Sequence, residues 1–153
     1  MQIETSRFGP VELDENVFIH FPWGIAGFEN VRRYFLMQHR DGPFQWLQAV
    51  DVPELAFVVC PPEALGVRYE VPGKRIEPIR VKSHDELVVL VMVSINREDK
   101  TMRPHFRGPL LFNSLSREAY QWVMEPWELD KHLRLLPEET EAKKASAKAE
   151  DAG

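Results

Sequence analysis

Five histidines, one cysteine and a Ser-His-Asp triplet are the residues of this chain that invite acid–base, nucleophilic or metal-binding chemistry. His20, His39, His84, His105 and His132 fall into no His-x-His or His-Glu-x-x-His spacing, the arrangements that bring two imidazoles to one metal ion. Ser83-His84-Asp85 holds the residue types of a hydrolytic triad, but sequence neighbours point in divergent directions. A triad needs its nucleophile, base and orienting carboxylate assembled in space, so the triplet reads as a turn or cap. Cys60 closes an apolar run before Pro61-Pro62 with no Lys or Arg beside it to lower its pKa, and reads as a small buried hydrophobe. A lone cysteine also permits no internal disulfide and no Cys-built zinc site. Gly24-Ile25-Ala26-Gly27 lacks the Lys-Ser/Thr of a phosphate loop, and its glycines suit a tight reversal after Pro22. The 24 Asp and Glu residues occupy no distinctive frame. No catalytic residue, cofactor or metal is expected.

The elements around these residues read as short strands divided by Gly and Pro. Met1, Ile3 and Thr5 alternate with polar residues, as do Val11 and Leu13 after the Phe8-Gly9-Pro10 turn. Strands are expected over Asn16–Phe21, Tyr34–Gln38, Phe44–Val50 and Leu55–Cys60, the middle two joined through Arg40-Asp41-Gly42-Pro43. Leu87–Ile95, rich in valine, predicts a central strand buried on both faces. Leu110–Asn113 and Tyr120–Met124 complete about nine strands. Helix is confined to one turn after Ser83, where Glu86 makes a capping-box pattern, and a short C-terminal helix over Glu128–Leu135. The fold class is all-β: a small single-domain antiparallel β-barrel or sandwich-like fold with at most short helices.

Length and composition agree with one folded unit. The chain has 153 residues, 44% of them hydrophobic, and 16 aromatics supply apolar area for a core. The net charge is −5, which opposes the phosphate neutralisation on which nucleic-acid affinity rests, so no direct nucleic-acid binding is expected. The uncharged, largely apolar run Leu87–Ile95 is about half a bilayer span, and no membrane role is expected. Met1-Gln2-Ile3-Glu4 opens without a basic segment leading into an apolar one, which favours a cytoplasmic location. Residues 1–136 are read as the β domain. Residues 137–153 are read as a frayed or disordered Ala/Glu/Lys tail, because they offer no apolar face to pack.

The aromatics are unevenly placed: ten of the 16 lie within the first 57 residues. Phe21-Pro22-Trp23-Gly24-Ile25-Ala26-Gly27-Phe28 resembles the Phe-Pro-x-Gly-Ile/Leu-x-Gly-Phe of the flagellar assembly factor family FliW. Trp46-Leu47-Gln48-Ala49-Val50-Asp51-Val52-Pro53-Glu54-Leu55-Ala56-Phe57 is similar to that family's Trp-Leu-Gln-x-Val/Ala-x-x-Pro-x-Leu-Ala-Phe. Gly108-Pro109-Leu110-Leu111-Phe112-Asn113 resembles a third family stretch, and Ile3-Glu4-Thr5-x-x-Phe8-Gly9 an opening one. The chain departs from the pattern at His105-Phe106, where Asn-Leu is usual, and at Ala119-Tyr120-Gln121, where Gly usually precedes the Gln.

The resemblance implies a non-enzymatic cytoplasmic factor that binds new flagellin as a chaperone. It also implies binding to the RNA-binding translational regulator CsrA, relieving repression of flagellin synthesis. Partner-binding candidates follow from surface chemistry. Trp23, Ile25 and Phe28 lie at a reversal able to hold an amphipathic helix of flagellin. Glu29, Asp51, Glu54 and Asp85 are acidic candidates facing a basic regulator. The alternative reading makes Phe21 and Phe28 core staples, with Trp23 open to either role. The rival function is a small-molecule-binding β-barrel or degenerate enzyme with an aromatic-lined pocket. For the tail, a chain ending at Leu136 should lose less than about 1 kcal/mol of stability. Thermal melts of both lengths check this, and a clearly larger loss would mean that the tail docks on the domain.

Overall fold

Alternating apolar residues and turn-forming glycines produce a chain of antiparallel hairpins. The computed structural model describes residues 1–38 and 41–137, so His39, Arg40 and the tail reading beyond residue 137 lie outside the described residues. β1 (Gln2–Thr5) and β2 (Gly9–Glu12) pair across a turn in which Gly9 takes φ 67°. β3 (Ile19–His20), β4 (Arg33–Gln38), β5 (Gln45–Ala49) and β6 (Ala56–Cys60) follow in spatial order. After β7 (Val67–Tyr69) and the one-turn helix α1 (Gly73–Ile76) comes β8 (Leu87–Asn96), which returns beside β6. β9 (Thr101–Pro104) folds back on the far half of β8, and β10 (Leu110–Asn113) pairs with the near half. β11 (Ala119–Gln121), helix α2 (Pro126–His132) and β12 (Leu133–Leu135) end the described chain.

The main sheet therefore runs β11-β10-β8-β6-β5-β4-β3, with β9 on β8, while β1-β2 and β12-β7 form two small sheets. It is not a closed barrel. Its two edges meet at one parallel bridge, His20 with Glu118, where the His20 amide donates to the Arg117 carbonyl at 2.9 Å. Arg117, itself at φ 63°, spans the same seam by donating from Nη2 to the Val17 carbonyl at 2.8 Å. The architecture is all-β and sandwich-like. Its largest core cluster gathers Phe21, Ile25, Tyr34, Leu47, Val59 and Phe112. A second centres on Trp122, Ile79 and Leu111, and a third on Ile3, Phe18 and Phe35.

Several expectations need correction. Asn16–Phe21 is not one strand: the Asp14 carboxylate accepts from the Asn16 amide at 3.0 Å and caps a 3-10 turn over Glu15–Val17, leaving two strand residues. The C-terminal helix starts earlier and stops earlier than read. Pro126 suits its first turn, the Glu125 amide donates to Glu128 Oε1 at 3.3 Å, and Leu133–Leu135 leaves it to pair with β7. β8 is not buried throughout: Val88 is exposed on one face beside β10, and the last residues run past β6 and expose half of Ile95. The strand read over Tyr120–Met124 ends at Gln121. β7, β9 and β12 gave no sequence signal, being three or four residues each. Ser83 does cap one 3-10 turn, accepting from the Asp85 amide at 3.4 Å. No helix among the described residues is long and apolar enough to cross a membrane.

Cys60 is fully buried, and burial pushes its thiol up to about 11; the buried Tyr34 phenol is pushed up to about 12. Both values exceed the ordinary ones of 9.0 and 10.0, so above pH 9 the unfolded chain releases protons that the folded chain still holds. Stability is therefore complete below that range and falls as pH rises through the folded values. Urea midpoints measured from about pH 8 to about pH 11 should decline with pH, and Cys60→Ala should flatten the slope. An unchanged slope in that variant would rule out the thiol as the responsible group.

Candidate functional site

The segment between Phe21 and Glu29 is a compact loop fixed at several points. The Gly24 amide donates to the Phe21 carbonyl at 2.9 Å, and the Phe28 amide to the Ile25 carbonyl at 2.6 Å. Gly24 has φ 66°, and a Cβ there would stand 2.5 Å from the Glu29 Cα, so the chain crosses itself where only glycine fits. Gly27 is also at positive φ, 87°, but faces open space. The Gln121 side chain then ties this loop to the third motif: it accepts from the Ala26 amide at 2.9 Å and donates to the Gly108 carbonyl at 3.2 Å. A Cβ on Gly108 would lie 2.4 Å from the Gln121 amide nitrogen, so a side chain at 108 would displace the tie.

The candidate residues separate by burial. Trp23 is 57% exposed and meets Tyr120 edge-on, ring centroids 6.1 Å apart. Phe28 is 39% exposed and stands edge-on to Phe57 at 5.4 Å. Ile25 is 1% exposed and belongs to the core, so its reading as a surface contact is corrected: the reversal turns its side chain inward beside Phe21. Phe21 is a core staple, as one reading had it; Phe28 is only half covered. Glu29 is exposed, and the Gly27 amide donating to its Oε2 at 2.9 Å holds its carboxyl below the usual range. Asp51 is engaged by Arg33, whose Nε and Nη2 donate at 3.0 and 2.5 Å. Glu54 is exposed in the following turn, as is Asp85 in the turn that Ser83 caps. That Val52–Leu55 turn is clamped from inside by the buried Gln48, which donates to the Ala49 and Pro53 carbonyls, both at 3.1 Å.

Two depressions adjoin the loop. A shallow cleft is walled by Trp23, Tyr120 and Val123. It shares Ala26, Gln121 and Val123 with a long open groove of about 1410 Å³. The groove begins where β6 and β8 part. Their ladder ends at Val58–Val93, after which Ser94–Asn96 pair only with β9, so the β8–β9 hairpin stands off as an arm. Sequence reading missed this feature and the arginines around it, because strand period gives no sign of where two strands diverge. The space is open to solvent on the outside of a filled interior, unlike the enclosed cavity that a small-molecule barrel would need.

No group of His, Cys, Asp and Glu able to hold a metal occurs among the described residues. Ser94 Oγ and His105 Nε2 lie 2.6 Å apart in the groove, but no carboxylate hydrogen-bonds that ring among the described residues. His84 hydrogen-bonds the Val71 carbonyl at 2.9 Å and is not part of a triad.

The family model described as FliW protein matches residues 2–135. The chain belongs to that family. It is 34% identical over 127 residues to the flagellar assembly factor FliW of Geotalea uraniireducens, covering 82% of this chain and 78% of the relative. It is 30% identical over 129 residues to that of Thermoanaerobacter pseudethanolicus, covering 82% and 86%. The corresponding factor of Treponema denticola is 31% identical over 126 residues, covering 81% and 86%. A crystal structure of the flagellar assembly factor FliW superposes with a TM-score of 0.74 at 22% identity, over 82% of this chain and 90% of that one, which shows the shared fold.

Within the FliW frame, the motif glycines make a sharp contrast. Gly24→Ala meets both a left-handed backbone and the Glu29 main chain, and should cost about 2–4 kcal/mol. Gly27→Ala meets strain alone and should cost about 1 kcal/mol. Urea unfolding of the pair checks this, and equal losses would mean that the crossing at Glu29 imposes no constraint.

Proposed function

We propose that this protein is a non-enzymatic, cytoplasmic flagellar assembly factor that binds flagellin as a chaperone and also binds the translational regulator CsrA, relieving its repression of flagellin synthesis. The observation that carries this reading is the family match, which extends over residues 2–135 and so over nearly all of the described chain. The finer assignment, to flagellin and CsrA, draws on the family resemblance of the three motifs.

The surface chemistry supports it. An amphipathic helix from flagellin needs an apolar ledge that keeps its shape without the helix. Trp23, backed by Tyr120 and flanked by Val123, is such a ledge, and Gly24 and Gln121 fix the loop that presents it. Phe28 extends the apolar surface on the other side of the loop. Tyr120 stands where the family pattern usually has Gly, so the Trp23–Tyr120 pair tunes this member's ledge. Glu29 and Glu54, exposed and acidic, are the proposed contacts for a basic regulator, with Asp51 contributing less because Arg33 already neutralises it.

Trp23→Ala tests the ledge. The melting temperature should stay nearly unchanged, while calorimetry should show flagellin or CsrA binding weakened by about 2 kcal/mol. A destabilised variant whose folded fraction binds normally would mean that the indole serves the fold instead.

A further inference from the structure

The groove where β6 and β8 part has a charge opposite to that of the chain as a whole. Arg7, Arg97, Arg103 and Arg107 line it together with His105, and no Asp or Glu lines it among the described residues. Elsewhere several arginines are matched, Arg33 with Asp51, Arg75 with Glu128, Arg80 with Glu118 and Arg134 with Glu70, while Arg32 and Arg117 donate to backbone carbonyls. The four in the groove make no ion pair with any described residue; Arg7 lies over the Trp46 ring at 4.4 Å and Arg107 Nε donates to the Met124 carbonyl at 3.1 Å. Between them the walls are apolar, with Phe57, Met92, Ile95, Val123 and Leu129.

We infer that this groove receives an acidic amphipathic segment of a polypeptide partner, its carboxylates meeting the arginines and its apolar side chains seated between β6 and the β8–β9 arm. Charge complementarity selects the sign of the occupant. The four exposed guanidiniums, with no carboxylate among the lining residues, favour an anionic occupant over a cationic one. Nucleic acid shares that sign but fits the rest poorly. Its bases need open aromatic faces, whereas the Trp46 face is covered by Arg7 and the remaining walls are largely aliphatic. A phosphate on every nucleotide also meets the net negative field of the molecule more strongly than a peptide bearing only a few carboxylates does. The inference rests on the proposed function only in taking the occupant to be a polypeptide; it assigns that partner's chemistry and the place where it lies.

The test uses the full chain and three fluorescent probes at about 0.15 M salt: an amphipathic Leu/Glu peptide, its Leu/Lys counterpart, and a single-stranded oligouridine. The Leu/Glu peptide should bind at least about tenfold more tightly than either of the others and shift the Trp46 indole NMR signal. Arg97 and Arg103 are exposed on the arm, so Arg97→Glu/Arg103→Glu should keep the native melting temperature. It should also reverse the preference toward the Leu/Lys peptide. That reversal is a gain, which a merely damaged protein would not show. Equal or tighter binding of the oligouridine would overturn the inference in favour of a nucleic-acid groove. If Glu138→Gln/Glu139→Gln/Glu141→Gln in the full chain raised peptide affinity about tenfold, the occupant would be the chain's own acidic tail, and the inference would fall. Flagellin binding by the native chain with no binding of the Leu/Glu peptide would overturn the groove assignment alone and leave the proposed function standing.

Discussion

The packing of a few aromatic rings holds the three family motifs to one another. Phe21 from the first motif meets Tyr34 edge-on at 5.1 Å and Phe112 from the third at 5.8 Å. Tyr34 in turn leans on Phe57 from the second motif at 6.2 Å, and Phe57 takes Phe28 on its outer side. Segments far apart in sequence thus share one cluster of edge-to-face and tilted rings, in which each ring both buries area and orients its neighbour. The exposed loop inherits its position from this cluster: Phe21 anchors its start inside the core, and Phe28 pins its end from outside. Trp23 is presented between two fixed points.

This explains what the motifs are for. Phe21, Phe57 and Phe112 hold the architecture, and so do residues that look functional in a linear reading. Gln48 is a buried amide clamping the Val52–Leu55 turn. Asn113 donates to the Ile79 carbonyl at 2.8 Å and accepts from the Leu115 and Ser116 amides, closing the β10–β11 hairpin. A buried polar side chain that satisfies several main-chain groups is costly to replace. The surfaces proposed for partners are drawn instead from positions between the motif residues, such as Trp23, and from segments outside them, such as the β8–β9 arm.

The all-β class, the hairpins over Tyr34–Val50 and the role of Cys60 were legible because period-two alternation and Gly/Pro punctuation report directly on strands and turns. The failures have equally local causes. Asp14 caps a turn that takes up the start of the strand read over Asn16–Phe21, and Leu133–Leu135 has a helical spacing that β7 overrides by offering backbone partners. Trp23 could be singled out, but its exposure could not be decided, since it depends on Tyr120 lying about a hundred residues downstream in an otherwise distant strand. Ile25 was misplaced because a reversal sends alternate side chains in opposite directions. The groove was invisible: Arg97, Arg103 and Arg107 cluster around β9 while Arg7 comes from the first hairpin, and only the parting of β6 from β8 opens a groove that they line together.

The seam at His20 and Glu118 makes the main sheet a split ring rather than a hoop. A closed ladder shares load among many rungs, whereas here one bridge and the Arg117 side chain link the two edges. Thermal breathing concentrates at such a joint. Amide protons of β3 and β11 should therefore trade with solvent through small local openings, while those of β5 and β6, each flanked by a strand on both sides, wait for the whole domain to unfold. The molecule has a rigid back and a latch at the front, and the loop bearing Trp23 leaves directly from the latch.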